Sequence, residues 1–158
     1  MTSATRIEHD SMGDLEVPNY ALYGAQTQRA INNFNISQQT MPSAFIRALL
    51  NVKMAAAEAN CRLDQLDTEI AAAIKKSAQG LLDSDDFMDH FPIDIFQTGS
   101  GTSTNMNANE VLAHLASMMC EQTVNANDHV NAGQSSNDVI PTSIHVAASI
   151  GLVCELLP

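Results

Sequence analysis

The sequence "QTGSGTSTNMNANEVLAHLASMM", residues 97–119, changes character near its middle. Glycine, serine, threonine and asparagine dominate its first half, whereas apolar residues recur at helical spacing after about Asn105, which predicts a helix. The predicted buried face of that helix contains Met106, Val111, Leu112, Leu115 and Met118 or Met119. The polar segment therefore precedes a helix N-terminus, where unpaired N–H groups favour anions.

The remaining sequence also predicts a mostly α fold. Residues 6–18 alternate around Met12-Gly13-Asp14, which is typical of a small hairpin or extended arm. Helical periodicity starts at Pro42 and predicts a helix ending near Asn60 or Arg62. Asp67 is placed to cap the next helix, which the acidic residues at 83–86 terminate. We expect that cluster to be a solvated loop, because the glycine and terminal glutamate of a calcium loop are missing.

The last predicted helix covers residues 138–157, with Pro141 in its first turn, where the missing N–H costs nothing. Several of its apolar residues have no expected partner within these 158 residues. Such a helix is too apolar to end in water. We therefore expect either association with another chain or continuation of the natural protein.

Composition limits the function classes. The 158 residues suffice for one compact domain, and 18 acidic against 7 basic residues give a net charge of −11, which disfavours nucleic acid and anionic membrane surfaces as partners. Cys61, Cys120 and Cys154 lack metal-binding or disulfide spacing, so no zinc site is expected. No signal peptide or apolar run of about 18 residues is evident. The sequence predicts a cytoplasmic protein that binds neither metal nor membrane.

The segment Thr98-Gly99-Ser100-Gly101-Thr102 has the features of an anion cradle. Alternating glycines allow close backbone approach, and the hydroxyls supply hydrogen-bond donors. It is not a phosphate-binding P-loop, since no Gly-Lys-Ser/Thr follows. A polar linker or an ordinary capped loop would share this composition.

A second polar segment, Gln134-Ser135-Ser136-Asn137-Asp138, also precedes a predicted helix. Taken alone, the segment is explained better by a simple helix cap without function. Two such segments in one domain suggest a small ligand with two carboxylates, each carboxylate bound by one cluster of donors. Neither segment contains lysine or arginine, so a cation from elsewhere must balance the ligand's charge.

Three motifs in order resemble the N-terminal third of class II fumarases, in the fumarase/aspartase superfamily: residues 24–29, residues 97–110 and residues 127–138. The resemblance implies reversible hydration of fumarate to L-malate in the tricarboxylic acid cycle, without metal or organic cofactor, by a homotetramer. It implies an N-terminal helical domain with a short β arm at 1–137. Residues 138–158 would then begin a central helix bundle.

The resemblance also assigns site residues. Two groups would bind the two substrate carboxylates: Ser100, Gly101 and Thr102 in the first segment, and Ser135, Ser136 and Asn137 in the second. The catalytic serine and histidine of the family are expected downstream of Pro158. The chain is thus expected to be an inactive fragment, in which His129 and His145 have structural hydrogen-bonding roles.

One motif departs from the family pattern. Fumarases commonly carry His-Pro-Asn-Asp at a second, non-catalytic dicarboxylate site, where this chain has Asn125-Ala126-Asn127-Asp128. An asparagine there resembles the aspartate ammonia-lyase branch, which is the alternative within the superfamily, although residues 25–28 and 98–101 look like fumarase. A further alternative is a non-catalytic helical binding or assembly module.

Overall fold

The computed structural model describes residues 4–157 and confirms the mostly α fold. Strands β1 (Thr5–Asp10) and β2 (Gly13–Pro18) form the predicted antiparallel hairpin. Gly13 makes the turn with a φ of +110°, a conformation that suits glycine. The Arg6 guanidinium then donates hydrogen bonds to the carbonyl oxygens of Pro18, Ala21 and Tyr23. These bonds fix the hairpin to the chain that follows it.

Five α-helices follow the hairpin. They are α1 (Ala25–Asn33), α2 (Ser43–Arg62), α3 (Thr68–Leu82), α4 (Thr102–Ser117) and α5 (Ser136–Gly151). Asp67 caps α3 as predicted, because its carboxylate accepts the Glu69 and Ile70 N–H groups at 2.8 and 3.3 Å. Asp83, Asp85 and Asp86 after α3 are exposed, as expected for a solvated loop.

The core lies between α2, α3 and α4, with the start of α5 packed against α2 and α4. Its centre consists of residues that are wholly buried: Ile46, Leu49, Leu50, Ile74, Val111 and Leu112. On α2 and α3 the buried residues recur at helical spacing, as at Ile46, Leu49 and Leu50 and at Ile70, Ile74, Ala78 and Leu81, which is the pattern that predicted these helices. The core therefore fixes the positions of the two helices whose N-termini carry the polar segments.

Helix α1 was not predicted from the sequence, and its nine residues contain few apolar side chains. Its N-terminal N–H groups are satisfied from a distant helix. The Glu110 carboxylate on α4 accepts the N–H groups of Gly24, Gln26 and Thr27 at 2.9–3.0 Å. A carboxylate at this position also complements the helix dipole.

A second carboxylate organises the loop before α4. Asp94 is buried and accepts hydrogen bonds from the N–H groups of Ile36, Ser37, Gln38 and Phe96 and from the Ser37 hydroxyl. Burial raises the pKa of Asp94, but these hydrogen bonds outweigh burial and hold its pKa below the usual range. Asp94 therefore stays ionised and joins the chain after α1 to the segment leading into the site.

Two helix starts differ from the prediction. Helix α4 begins at Thr102 rather than near Asn105, because Gln97 Oε1 caps it by accepting the Thr104 N–H at 2.8 Å. Helix α5 begins at Ser136, capped by the Ser135 side chain. The prediction of Pro141 in its first turn was wrong: Pro141 lies inside the helix and cannot donate to the carbonyl oxygen of Asn137.

The outer half of α5 is largely exposed and apolar. After Gly151 the chain continues as a π-helical turn, Leu152–Leu156. The exposed apolar side chains are Ile144, Ile150, Leu152, Val153, Leu156 and Leu157. By length and composition the stretch Ser136–Leu156 could cross a membrane, although its first turns pack against α2 and α4.

We predict that Glu110→Gln lowers the free energy of unfolding by about 2 kcal/mol, because the carboxamide cannot accept all three N–H groups with a charged oxygen. Chemical denaturation measures this change. Amide hydrogen exchange should accelerate at Gly24, Gln26 and Thr27. The matched control is Glu121→Gln, an exposed position, which should leave stability unchanged. Equal stability of both variants would contradict the assigned role of Glu110.

Candidate functional site

The two polar segments meet in the structure. Ser100 Oγ donates a hydrogen bond of 2.8 Å to Asn137 Oδ1, although the two residues are 37 positions apart. Ser100, Ser135 and Asn137 are exposed, while Thr102 and Ser136 are half-buried. The hydroxyl and amide groups of both segments therefore lie at one surface site.

A buried asparagine connects the two segments below this surface. Asn105 on α4 donates through Nδ2 to Ser136 Oγ at 3.2 Å and to Asn131 Oδ1 at 3.1 Å. Its own Oδ1 is buried and has no hydrogen-bond partner in the described chain. Asn105 belongs to the motif at residues 97–110, but its contacts were not predicted from the sequence.

Unpaired backbone donors border the site. The N–H groups of Thr102 and Ser103 at the start of α4, and of Ser136 at the start of α5, have no acceptor within residues 4–157. Such groups and the positive ends of two helix dipoles favour a negative charge. The site thus has the donors that an anionic ligand requires.

Gly101 lets the two helices approach each other. Its φ is +77°, and a Cβ at this position would lie 3.2 Å from three carbon atoms of Ile140 on α5. Sequence analysis assigned the glycine to close approach by a ligand. The structure shows a direct packing requirement, since a Cβ here would require the Ile140 side chain to shift.

Lys53 supplies a cation that sequence analysis missed. It lies on α2, is wholly buried, and donates to Asn131 Oδ1 at 3.0 Å and to Gln134 Oε1 at 2.8 Å. Burial lowers the pKa of Lys53 from 10.5 to about 7. The sequence of α2 did not indicate a role for this lysine, because its hydrogen-bond partners are 78 and 81 residues away in the chain.

A cavity of about 240 Å³ adjoins the first segment. Thr98, Thr102 and Ser103 line this cavity together with Arg29 and Asp10. Arg29 binds the Asp10 carboxylate with two hydrogen bonds of 2.8 and 2.9 Å, which hold the pKa of Asp10 below its usual range. Asp10 of the hairpin and Thr102 at the start of α4 therefore border the same cavity.

The candidate second dicarboxylate site, Asn125-Ala126-Asn127-Asp128, forms a turn closed by its own side chain. Asn125 Oδ1 accepts the N–H groups of Asn127 at 2.8 Å and Asp128 at 3.0 Å. A carboxylate ligand that used these two N–H groups would have to displace the Asn125 side chain. Asn125, Ala126 and Asn127 also border a cavity of about 580 Å³.

The two histidines near the site differ. His129 Nδ1 accepts the Asn125 N–H at 2.9 Å, the structural hydrogen bond expected for this residue. His145 is exposed on α5, and the hydrogen bond expected for it is absent from residues 4–157. Within that range no group of three His, Cys, Asp or Glu side chains could hold a metal ion. Cys61, Cys120 and Cys154 are free thiols.

The arrangement defines a helical protein in which two helix N-termini and their polar segments form one anion-favouring site. The family profile described as "Lyase" matches residues 13–158. The chain belongs to this lyase family.

Individual relatives agree with that assignment. The chain is 62% identical to fumarate hydratase class II 2 of Pseudomonas aeruginosa and 55% identical to fumarate hydratase class II of Xylella fastidiosa, over 98% and 97% of its own length. It spans about a third of the length of these curated relatives.

Solved structures show the same fold. A class II fumarase from Schistosoma mansoni superposes with a TM-score of 0.90 at 38% identity, covering 96% of this chain and 33% of that one. A fumarate lyase:delta crystallin from Brucella melitensis gives 0.87 at 41% identity, covering 95% and 36%.

We predict that Gly101→Ala lowers the free energy of unfolding by about 2 kcal/mol, because alanine disfavours the left-handed backbone and its methyl group would press on Ile140. The matched control is Gly80→Ala, inside α3 with open space around it, which should stabilise by up to about 1 kcal/mol. Denaturant titration compares the two variants, and equal effects would refute the role of Gly101.

The buried Lys53 predicts a pH dependence of stability. Between pH 7 and 9 the folded protein holds Lys53 largely neutral, whereas the unfolded chain keeps it protonated. The free energy of unfolding should therefore rise by about 2 kcal/mol across this interval. Lys53→Met should lack this component in denaturation measured at both pH values, and an identical rise in the variant would contradict the assignment.

Proposed function

We propose that this chain forms the N-terminal part of a class II fumarate hydratase, which adds water reversibly to fumarate and yields L-malate. The main supporting observation is the hydrogen bond between Ser100 and Asn137, which joins the two segments expected to bind carboxylates. The family match and the named relatives support the same substrate class. Ser100, Gly101 and Thr102 would hold one carboxylate, and Ser135, Ser136 and Asn137 the other.

These residues suit binding rather than proton transfer. Hydroxyls, carboxamides and helix N–H groups donate hydrogen bonds to carboxylate oxygens, each contributing about 1.5–3 kcal/mol. A carboxylate held by such donors can also accept the charge that develops when a base removes the C3 proton of malate. The base and the acid that expels the hydroxyl group are expected outside residues 1–158, so the chain alone should not turn over substrate.

Aspartate ammonia-lyase activity is the second candidate. It would use the same carboxylate contacts and release ammonia instead of water. The observation that favours it is Asn125 in place of the histidine expected in fumarases. The relatives named as fumarate hydratases favour the first candidate.

We also propose that the exposed apolar half of α5 is a protein contact, in a cytoplasmic homo-oligomer that is a tetramer in the complete enzyme. Its neighbouring apolar side chains would form a large exposed patch on a monomer, and patches of this kind mark interaction surfaces. The first turns of the same helix already pack against α2 and α4. A bundle of such helices would cover the exposed face.

We predict that the complete gene product containing these residues hydrates fumarate, measured as loss of the ultraviolet absorbance of its conjugated double bond. Ser100→Ala should lower kcat/KM at least about tenfold, because a charge-assisted hydrogen bond is lost. The matched control is Ser84→Ala, at an exposed loop position outside both polar segments. Ammonia release from aspartate without hydration of fumarate would contradict this proposal and favour the second candidate function, aspartate ammonia-lyase activity.

We predict that the 158-residue chain self-associates through α5. Sedimentation at increasing concentration should show a mass above that of the monomer. The double variant Leu152→Glu/Leu156→Glu should remain monomeric because it places charges on the apolar face. A monomeric mass for the unmodified chain at high concentration would contradict this surface assignment.

A further inference from the structure

The ammonium group of Lys53 is buried without a counter-charge. The side chain has no solvent exposure, and its two hydrogen-bond partners are neutral carboxamide oxygens. Lys53 forms no ion pair within residues 4–157, whereas Lys75 pairs with Glu58 at a half-buried position. A bound carboxylate would supply the missing counter-charge and would favour the protonated form of Lys53.

The partners of Lys53 lead directly to the site. Gln134 belongs to the second polar segment, and Asn131 lies three residues before it. Asn131 Oδ1 also accepts from Asn105, which donates in turn to Ser136. Asn131 Nδ2 and Gln134 Nε2 each bond to backbone carbonyls of the same loop. One ammonium group thus holds the loop from which Ser135, Ser136 and Asn137 project.

Stability does not account for a lysine at this position. Transfer of an ammonium group from water to the protein interior costs several kcal/mol, and an apolar side chain of similar volume is often neutral or stabilising in its place. Helix α2, on which Lys53 lies, is rich in alanine and other apolar residues. An apolar side chain would therefore be compatible with this part of the helix. A buried cation that is hydrogen-bonded to the loop before α5 therefore points to a role in binding.

We propose that Lys53 is a positioning residue of the dicarboxylate site: it fixes the side chains of Asn131 and Gln134, holds the second segment in its binding geometry, and supplies positive potential for one carboxylate. The inference rests on the proposed function and deepens it. It also identifies a cation for the two segments that lack one.

Succinate, a non-reacting dicarboxylate, tests this inference in the complete gene product by isothermal titration calorimetry. Lys53→Met removes the charge at nearly constant length. Asn131→Asp places a carboxylate beside the ammonium group and neutralises it internally. Both variants should raise the Kd for succinate at least about tenfold. The thermal midpoint of Lys53→Met should stay unchanged or rise because the unpaired buried charge is removed. Lys76→Met, on the exposed face of α3, should leave the Kd unchanged.

A weaker affinity for succinate without a loss of thermal stability in Lys53→Met would distinguish a positioning role from a purely structural one. A Kd within twofold of the wild type in Lys53→Met would overturn the inference, as would a lower affinity accompanied by a lower thermal midpoint. If Lys53→Met fails to fold, Asn131→Asp decides by its Kd for succinate alone, and a Kd within twofold of the wild type would overturn the inference. Failure of the wild-type protein to bind succinate would overturn the proposed function, and this inference with it.

Discussion

The close approach of α4 and α5 at Gly101 and Ile140 is the constraint on which the site depends. No side chain larger than hydrogen fits at position 101 without displacing Ile140, and the φ of +77° also favours glycine. This packing brings Ser100 to Asn137 and places Asn105 against Ser136. Two helix N-termini then share one surface, so that their unpaired N–H groups and dipoles act on the same ligand.

Electrostatics adds a second requirement. The chain carries a net charge of −11, and Asp138 lies within the second polar segment itself. A dianion at this site needs compensation that hydroxyls and carboxamides cannot supply alone. In the proposal made above, protonated Lys53 would meet this need from below the surface, where low polarity strengthens its field. The same burial makes the lysine costly for folding, which is typical of residues retained for function.

Sequence patterns predicted what depends on local chemistry. The hairpin, α2, α3 and the Asp67 cap follow from periodicity and turn residues, and the two polar segments were recognised from composition together with family resemblance. Long-range contacts account for what was missed. Glu110 specifies α1 from 83 or more residues away in the chain, and Lys53 reaches Asn131 across 78 residues. Pro141 was misplaced because the Ser135 cap starts α5 earlier than its apolar pattern does.

A crystal structure of the complete gene product with bound succinate tests the central claim most directly. We expect one carboxylate to contact Ser100 and Thr102 and the other to contact the segment from Ser135 to Asn137, with the Lys53 hydrogen bonds to Asn131 and Gln134 preserved. A dicarboxylate bound in an ordered site away from both segments would contradict the account.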